Sequence, residues 1–300
     1  MTYAPKAAGQ GCYQDTADFS ISQPVDSPTL RVLSFGAGVQ STVLLLMAAR
    51  HELGPMPDIA IFGDTQFEPA AVYDHLEWCK DEVNRLTNGQ LQIHTVTHGS
   101  IKNDHLAGLN STGQRFASMP LYTANGAGMG RRQCTNEYKI KPTQKKVREL
   151  LGVAKGERVP KSTVVEQWIG ISTDELQRLK YNRLKWITNR WPLIEMRMNR
   201  ADCHAWFNKH YPGQPLVKSA CIVCPFKDNS YWRKTKNGPS NEWQEAVEFD
   251  EAIRANGSTL RGMDAQQFVH RSGTPLRTAN LDDNSTLDLF QGECEGMCGV

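Results

Sequence analysis

The eight residues Ser34 to Ser41 (SFGAGVQS) stand between an apolar β-type run, Leu30 to Leu33, and an apolar helical run, Thr42 to Ala49. A strand that turns through small residues into a helix is a strong constraint. Gly36, Ala37 and Gly38 let backbone N–H groups approach an anion closely, and the helix that follows adds the positive end of its dipole. The segment is an incomplete G-x-G-x-x-G and lacks the Gly-Lys-Ser/Thr ending of the commoner ATP-binding loop, so both of those fingerprints fall away. Taken alone, the loop also fits a strand-to-helix turn with no ligand.

The rest of the chain supplies the context for a nucleotide site. After Leu30 to Leu33 and the helix Ser41 to Arg50 come Ile59 to Phe62, a helix over Ala70 to Leu86, and Leu91 to Val96. Short apolar runs alternating with helical stretches argue for parallel βαβ units, so the expected fold class is α/β with a doubly wound parallel sheet. Val72, Leu76, Cys79, Val83 and Leu86 fall on one stripe of the second helix, which makes Cys79 a core residue. Gly99 to Gly130 is rich in Gly, Ser and Asn and is expected to act as a lid over the site. A basic helix then continues to Leu151, and Val164 to Ile171 reads as a further strand. In the helix Arg200 to His210, the i, i+3, i+4 spacing of Cys203, Trp206 and Phe207 places Cys203 in the core. Residues 1 to 28 read as a flexible leader, 29 to 220 as the nucleotide-binding domain, and 221 to 300 as a cysteine-bearing region folded over the sheet's carboxyl edge.

Composition narrows the setting. A chain of 300 residues with 39% hydrophobic content can bury a sizeable core, and a net charge of +2 excludes a histone-like polyanion binder while allowing a local basic patch. No apolar run reaches bilayer length and the N-terminus holds no hydrophobic block, so a cytoplasmic protein with no membrane partner is expected. In that compartment eight cysteines point to metal, cluster or redox chemistry rather than to disulfides.

In an open parallel sheet, ligands lie where strands end. After the second strand comes Asp64, able to meet ribose or adenine or a hydrated Mg²⁺, or simply to cap the next helix. Cys221-Ile222-Val223-Cys224-Pro225 brings two thiols together in one turn, as a metal or cluster requires. A four-thiolate Zn²⁺ site and an iron–sulfur cluster share this spacing, while a redox dithiol lacks its thioredoxin-like context. Cys294 and Cys298, near the end of the chain at C-x-x-x-C spacing, could complete such a metal site with Cys221 and Cys224. Basic and aromatic residues interleave from Arg178 to Trp191, a pattern that suits phosphates and stacked bases as well as a solvated face. The helix from Lys139 to Arg148 is similarly basic. The oligomeric state has no signal in the sequence.

These residues together resemble the phosphoadenylyl-sulfate (PAPS) reductase family of the adenine-nucleotide α-hydrolase superfamily. The resemblance rests on Ser34-Phe35-Gly36, on Asp64-Thr65-Gln66-Phe67-Glu68-Pro69 with Tyr73, and on Cys134 followed by Lys139 and Pro142. It continues through Gly170-Ile171 with Asp174, Glu175 and Arg178, and through Pro192-Leu193-Ile194, covering most of residues 30 to 225. It implies the superfamily's α/β/α sandwich and binding of ATP, PAPS or adenylyl sulfate by Ser34, Gly36, Gly38, Gln40 and Ser41. Asp64 would order ribose or Mg²⁺, and Lys139 and Arg178 would meet anionic oxygens. Superfamily members that adenylate their substrates read Ser-Gly-Gly-Lys-Asp-Ser across the loop. The lysine and aspartate are missing here, which favours an already activated nucleotide over ATP cleavage.

The resemblance further implies a 4Fe–4S cluster on Cys134, Cys221 and Cys224, with Cys298 or Cys294 as fourth ligand and Zn²⁺ as the rival. The tail Glu293-Cys294-Glu295-Gly296-Met297-Cys298-Gly299 is similar to the mobile tail in which assimilatory sulfonucleotide reductases carry their nucleophilic cysteine. A thiolate attacking the sulfur of a bound sulfonucleotide would give an enzyme thiosulfonate, released by an external thiol or thiol-bearing protein. Two other functions share these features. One is a nucleic-acid sulfurtransferase of the tRNA-thiolation or DNA-phosphorothioation type, and the other is a zinc-stapled nucleotide-binding accessory protein without turnover.

Overall fold

Val32, Ile59, Ile61, Val165 and Ile187 form one apolar surface and Leu33, Phe35, Ala60, Phe62 and Trp168 another, because successive strand residues point to opposite faces. A sheet that is apolar on both faces must be covered on both. The computed structural model describes residues 22–108, 119–124, 128–255 and 266–282. Within them the chain runs β1 (Leu30–Phe35), α1 (Val39–Ala49), β2 (Ile59–Asp64), α2 (Ala70–Thr87), β3 (Ile93–Thr97) and α3 (Ile101–Leu106). Next come β4 (Tyr122–Thr123), a π-helical turn (Thr135–Ile140) that runs into α4 (Lys141–Leu150), β5 (Val165–Ile169), a 3₁₀ turn (Thr173–Arg178) and β6 (Ile187–Arg190). The chain closes with α5 (Pro192–Glu195), α6 (Arg200–His210), α7 (Asn229–Asn237), α8 (Glu242–Ala255), β7 (Gln267–Phe268) and a last 3₁₀ turn (Leu276–Thr278).

The main sheet has five parallel strands in the order β3-β2-β1-β5-β6, with Ser34 of β1 in register with Ile61 on one side and Ile169 on the other. Helices α1, α2 and α6 contribute to the core on the Leu33 face and α4 to that on the Val32 face, which is the doubly wound α/β arrangement. Every residue of α1 is buried, since it lies between the sheet and the helices α2 and α6. Burial of its three consecutive leucines, Leu44 to Leu46, contributes about 1.5–3 kcal/mol apiece. In α2 the buried residues include Val72, Leu76, Cys79 and Val83, and Cys203 is buried from α6.

A second apolar cluster lies beyond the strand ends. It joins Phe67 and Ile101 to Met119 and Leu121, to Ile222 and Val223, and to Trp232, Phe249, Val269 and Leu276. The described parts of the Gly99 to Gly130 stretch are therefore built into this cap: β4 pairs antiparallel with β7, and the side chains of Ile101, Met119 and Leu121 are buried. Helices α7 and α8 lie in the last eighty residues, whose sequence holds little β pattern, and β6 falls inside the basic and aromatic stretch.

One buried carboxylate fastens the sheet's β5–β6 side. Glu166, fully buried, accepts from Trp168 Nε1 at 2.6 Å, lies 3.3 Å from Arg31 and 3.7 Å from Arg190, and takes the backbone N–H of Val25. Removing one partner from such a network costs about 3–5 kcal/mol, because a buried charge is left without its counter-charge.

Burial also holds three imidazoles neutral. His75, His105 and His270 are each pushed down to about 4 from 6.5, with desolvation as the largest cause. An unfolded chain protonates these groups below pH 6.5 while the folded chain does so only near pH 4, so stability falls as pH drops through that window. Urea midpoints measured from pH 7 to 4 should decline, and His75→Gln should flatten the slope.

Candidate functional site

The loop after β1 reaches the carboxyl edge between β1 and β5, where the winding of the sheet reverses, which is the place for a ligand in this architecture. Ser41, in the first turn of α1, accepts through its Oγ from the N–H groups of Gly36 at 3.3 Å and Gly38 at 3.1 Å, and donates to the Gly38 carbonyl at 3.2 Å. Two loop amides thus converge on one oxygen. Ala37 between them takes the left-handed conformation at φ +54°, which costs an alanine more than a glycine. From β5, Gly170 presses on this turn, and a Cβ there would lie 2.9 Å from both Cα and N of Ser41.

Gln40 and Arg178 meet through Glu175. The Gln40 amide donates to Ser172 Oγ at 3.2 Å and to Glu175 Oε2 at 3.1 Å, while Arg178 forms an ion pair with Glu175. Ser172 Oγ donates in turn to Asp174 at 2.6 Å. The segment after β5 is thereby tied to the start of α1. Ser34 stays within β1, half-buried in the strand.

Asp64 ends β2 and shapes the next turn. It accepts from the Gln66 N–H at 2.7 Å and from the Tyr73 hydroxyl at 2.9 Å. Pro69, and not Asp64, is the N-cap residue of α2. Burial and the bond to Asp64 push the Tyr73 phenol well above its usual range. The preceding Gly63 lies under the π-helical turn, where a Cβ would sit 2.9 Å from Lys139 Cα. Lys139 is buried, with its Nζ 3.3 Å from Glu68 Oε1. The same carboxylate accepts from Thr65 Oγ1 at 3.0 Å and lies 3.6 Å from Cys221 Sγ. Glu68 thus joins Lys139 to the first cysteine of the C-x-x-C turn.

That turn closes through Cys224 N–H to Cys221 O at 3.0 Å, and Ile222 N–H to Phe67 O at 2.9 Å fastens it to the segment after β2. Both thiols are almost fully buried, and Cys221 Sγ lies 3.3 Å from Thr65 Oγ1. Cys134 is half-buried at the start of the π-helical turn, against the apolar cluster that includes Ile222 and Val223. Among the described residues no group of three or more His, Cys, Asp or Glu side chains could hold a metal ion. Cys294 and Cys298 lie outside the described residues. Cys221 and Cys224 by themselves are half of a four-thiolate set, a donor pair suited to a thiophilic ion or cluster.

Lys227 follows the turn and is absent from the sequence expectations. Its ammonium is buried, donates to Ile222 O at 2.8 Å, and lies 3.8 Å from the Tyr231 ring centroid and 5.4 Å from that of Trp232. Desolvation pushes it down to about 8, opposed by Cys224 and Cys221. Its position three residues after Cys224 was the available signal, but a lysine at such a place normally reads as a solvated charge. A cavity of about 540 Å³ opens beside the turn, with Glu68, Tyr73, Ile222 and Glu242 in its wall.

The basic stretch divides. Lys180, Tyr181, Arg183 and Lys185 are exposed, Tyr181 at 73%, whereas Arg190 and Trp191 are buried. On α4, Lys146 pairs with Glu149, and Arg148 bonds backbone carbonyls of the following loop. No described helix is long and apolar enough to cross a membrane. Compared with protein-family models and with curated proteins, the chain matches none.

Proposed function

We propose that this protein binds an adenine nucleotide or sulfonucleotide at the loop between β1 and β5 and carries out sulfur reduction or transfer with its cysteines, in the manner of the PAPS reductase family and its adenine-nucleotide α-hydrolase fold. The observation that carries this reading is the convergence of the Gly36 and Gly38 amides beneath the N-terminus of α1, at the point where the sheet's winding reverses. Gln40 and Arg178 border the same point, and the Asp64 turn lies at the end of the adjacent strand β2. A phosphate would be held by amides and dipole, and Arg178 and Lys139 would meet its outer oxygens.

Calorimetry with ATP, PAPS and adenylyl sulfate tests the loop. Ser41→Leu and Gly170→Ala, the second of which drives a methyl group into Ser41, should each weaken the bound nucleotide more than tenfold while the circular dichroism spectrum stays native. Unchanged affinity for all three nucleotides would sink the assignment.

The cysteines form the second half of the proposal. Cys221 and Cys224, with Cys134 and a tail cysteine, would hold a 4Fe–4S cluster or Zn²⁺; a bound cluster would supply redox capacity, and Zn²⁺ a structural staple. Anaerobic purification followed by iron, sulfide and zinc analysis should find metal that disappears in Cys224→Ala and Cys134→Ala. Its loss in Cys298→Ala would make the tail a ligand, and its retention there would leave Cys298 as the nucleophile.

A second reading, a nucleic-acid sulfurtransferase, is favoured by the exposed run of Lys180, Tyr181, Arg183 and Lys185, which joins phosphate-binding charges to an aromatic face. It expects tRNA or single-stranded DNA to be retained at physiological salt, with the affinity falling steeply in Tyr181→Ala/Arg183→Ala. Absence of retention on either polymer removes this reading.

A further inference from the structure

Lys227 carries a buried ammonium in need of a negative partner. The residue is 2% exposed and forms no ion pair among the described residues; its Nζ has one hydrogen bond, to the Ile222 carbonyl at 2.8 Å, and rests on the faces of Tyr231 and Trp232. A carbonyl and two aromatic faces offset part of the cost of removing such a charge from water, but a full counter-charge is the usual solution.

The acidic groups that favour its charged form are the Cys224 and Cys221 thiols and the Glu242 and Glu68 carboxylates. Glu68 is matched to Lys139 at 3.3 Å and to the Thr65 hydroxyl at 3.0 Å, and Glu242 accepts from the Tyr231 hydroxyl at 3.4 Å. Of these groups, the C-x-x-C turn is the one that hydrogen bonds tie directly to the lysine. The backbone brings its cysteines to the lysine through two successive turns, Cys224 N–H to Cys221 O at 3.0 Å and Lys227 N–H to Cys224 O at 3.2 Å, and the side chain folds back on the carbonyl of Ile222, between the two cysteines. Arg271 adds to the positive surroundings, donating from Nη2 to the Lys227 carbonyl at 3.2 Å.

We infer that Lys227 is the counter-charge of the C-x-x-C turn: a positioning residue that holds the turn through Ile222 and offsets the negative charge of Cys221 and Cys224 when they act as thiolate ligands. It is built for thiolates, free or on a metal ion. The inference rests on the cysteine half of the proposed function and is independent of the nucleotide loop, because nothing in its test involves a nucleotide.

The test uses the full chain, reduced, with Zn²⁺ alone as probe in competition with a chromophoric chelator. Lys227→Met, which keeps most of the aliphatic stem, should bind Zn²⁺ at least tenfold more weakly than wild type at pH 7, and Lys227→Arg should recover most of that loss. A stability cycle provides the second readout. Cys221→Ser/Cys224→Ser should lower the melting temperature, and adding Lys227→Met should restore part of it, since the isolated ammonium is then gone. Zn²⁺ affinity unchanged by Lys227→Met overturns the inference, and so do additive effects in the cycle. If Lys227→Met fails to fold on the wild-type background, the triple variant decides: a melting temperature above that of the double cysteine variant supports the inference, and one at or below it overturns the inference.

Discussion

Two close backbone approaches set the geometry of the whole carboxyl edge. Gly170 lets the end of β5 lie against the first turn of α1, and Gly63 lets the end of β2 lie under the π-helical turn that carries Lys139. In both places a side chain would fall 2.9 Å from backbone atoms, closer than packed atoms tolerate. Without these gaps the loop after β1 and the buried Lys139 would be lifted away from the strands. The apolar sheet provides the platform, and the missing Cβ atoms decide how near the polar groups can come to it.

From that edge a continuous polar path runs into the cap. Lys139 meets Glu68, Glu68 meets Thr65 and Cys221, and Ile222 bonds back to Phe67. The links to Lys139, Cys221 and Ile222 join the segment after β2 to segments far along the chain, so the cysteine turn is positioned by the strand end and not only by its own neighbours. The apolar cluster around Trp232 and Phe249 backs this path on one side, which strengthens the electrostatic contacts buried within it.

Much of the sheet half of this arrangement could be read from the sequence, because its elements are local. The run from Leu30 to Ala49 contains strand, turn and helix in one stretch, and the stripe of Val72, Leu76, Cys79 and Val83 repeats with helical period. The sheet's last strand and the cap were far less legible. Strand β6 is only Ile187 to Arg190, with one apolar residue, and is held by pairing with β5 and not by its own pattern. The lid expected over Gly99 to Gly130 depended on its glycines and serines, whereas the fate of its described parts is set by Ile101, Met119 and Leu121 finding partners more than a hundred residues away. Lys227 illustrates the same limit: its charge identifies it in the sequence, but its burial against two aromatic rings is a tertiary property.

The Ser41 hydroxyl bears on what the proposed nucleotide loop would select. Its oxygen already accepts from the Gly36 and Gly38 amides, so these donors are satisfied within the loop itself. In the proposed site, any molecule that took those amides would exchange one acceptor for another. A neutral oxygen would gain almost nothing by the exchange, while an anion would gain the difference in charge, in reach of the helix dipole. The serine would therefore work as a threshold, closed to weak acceptors and open to strong ones.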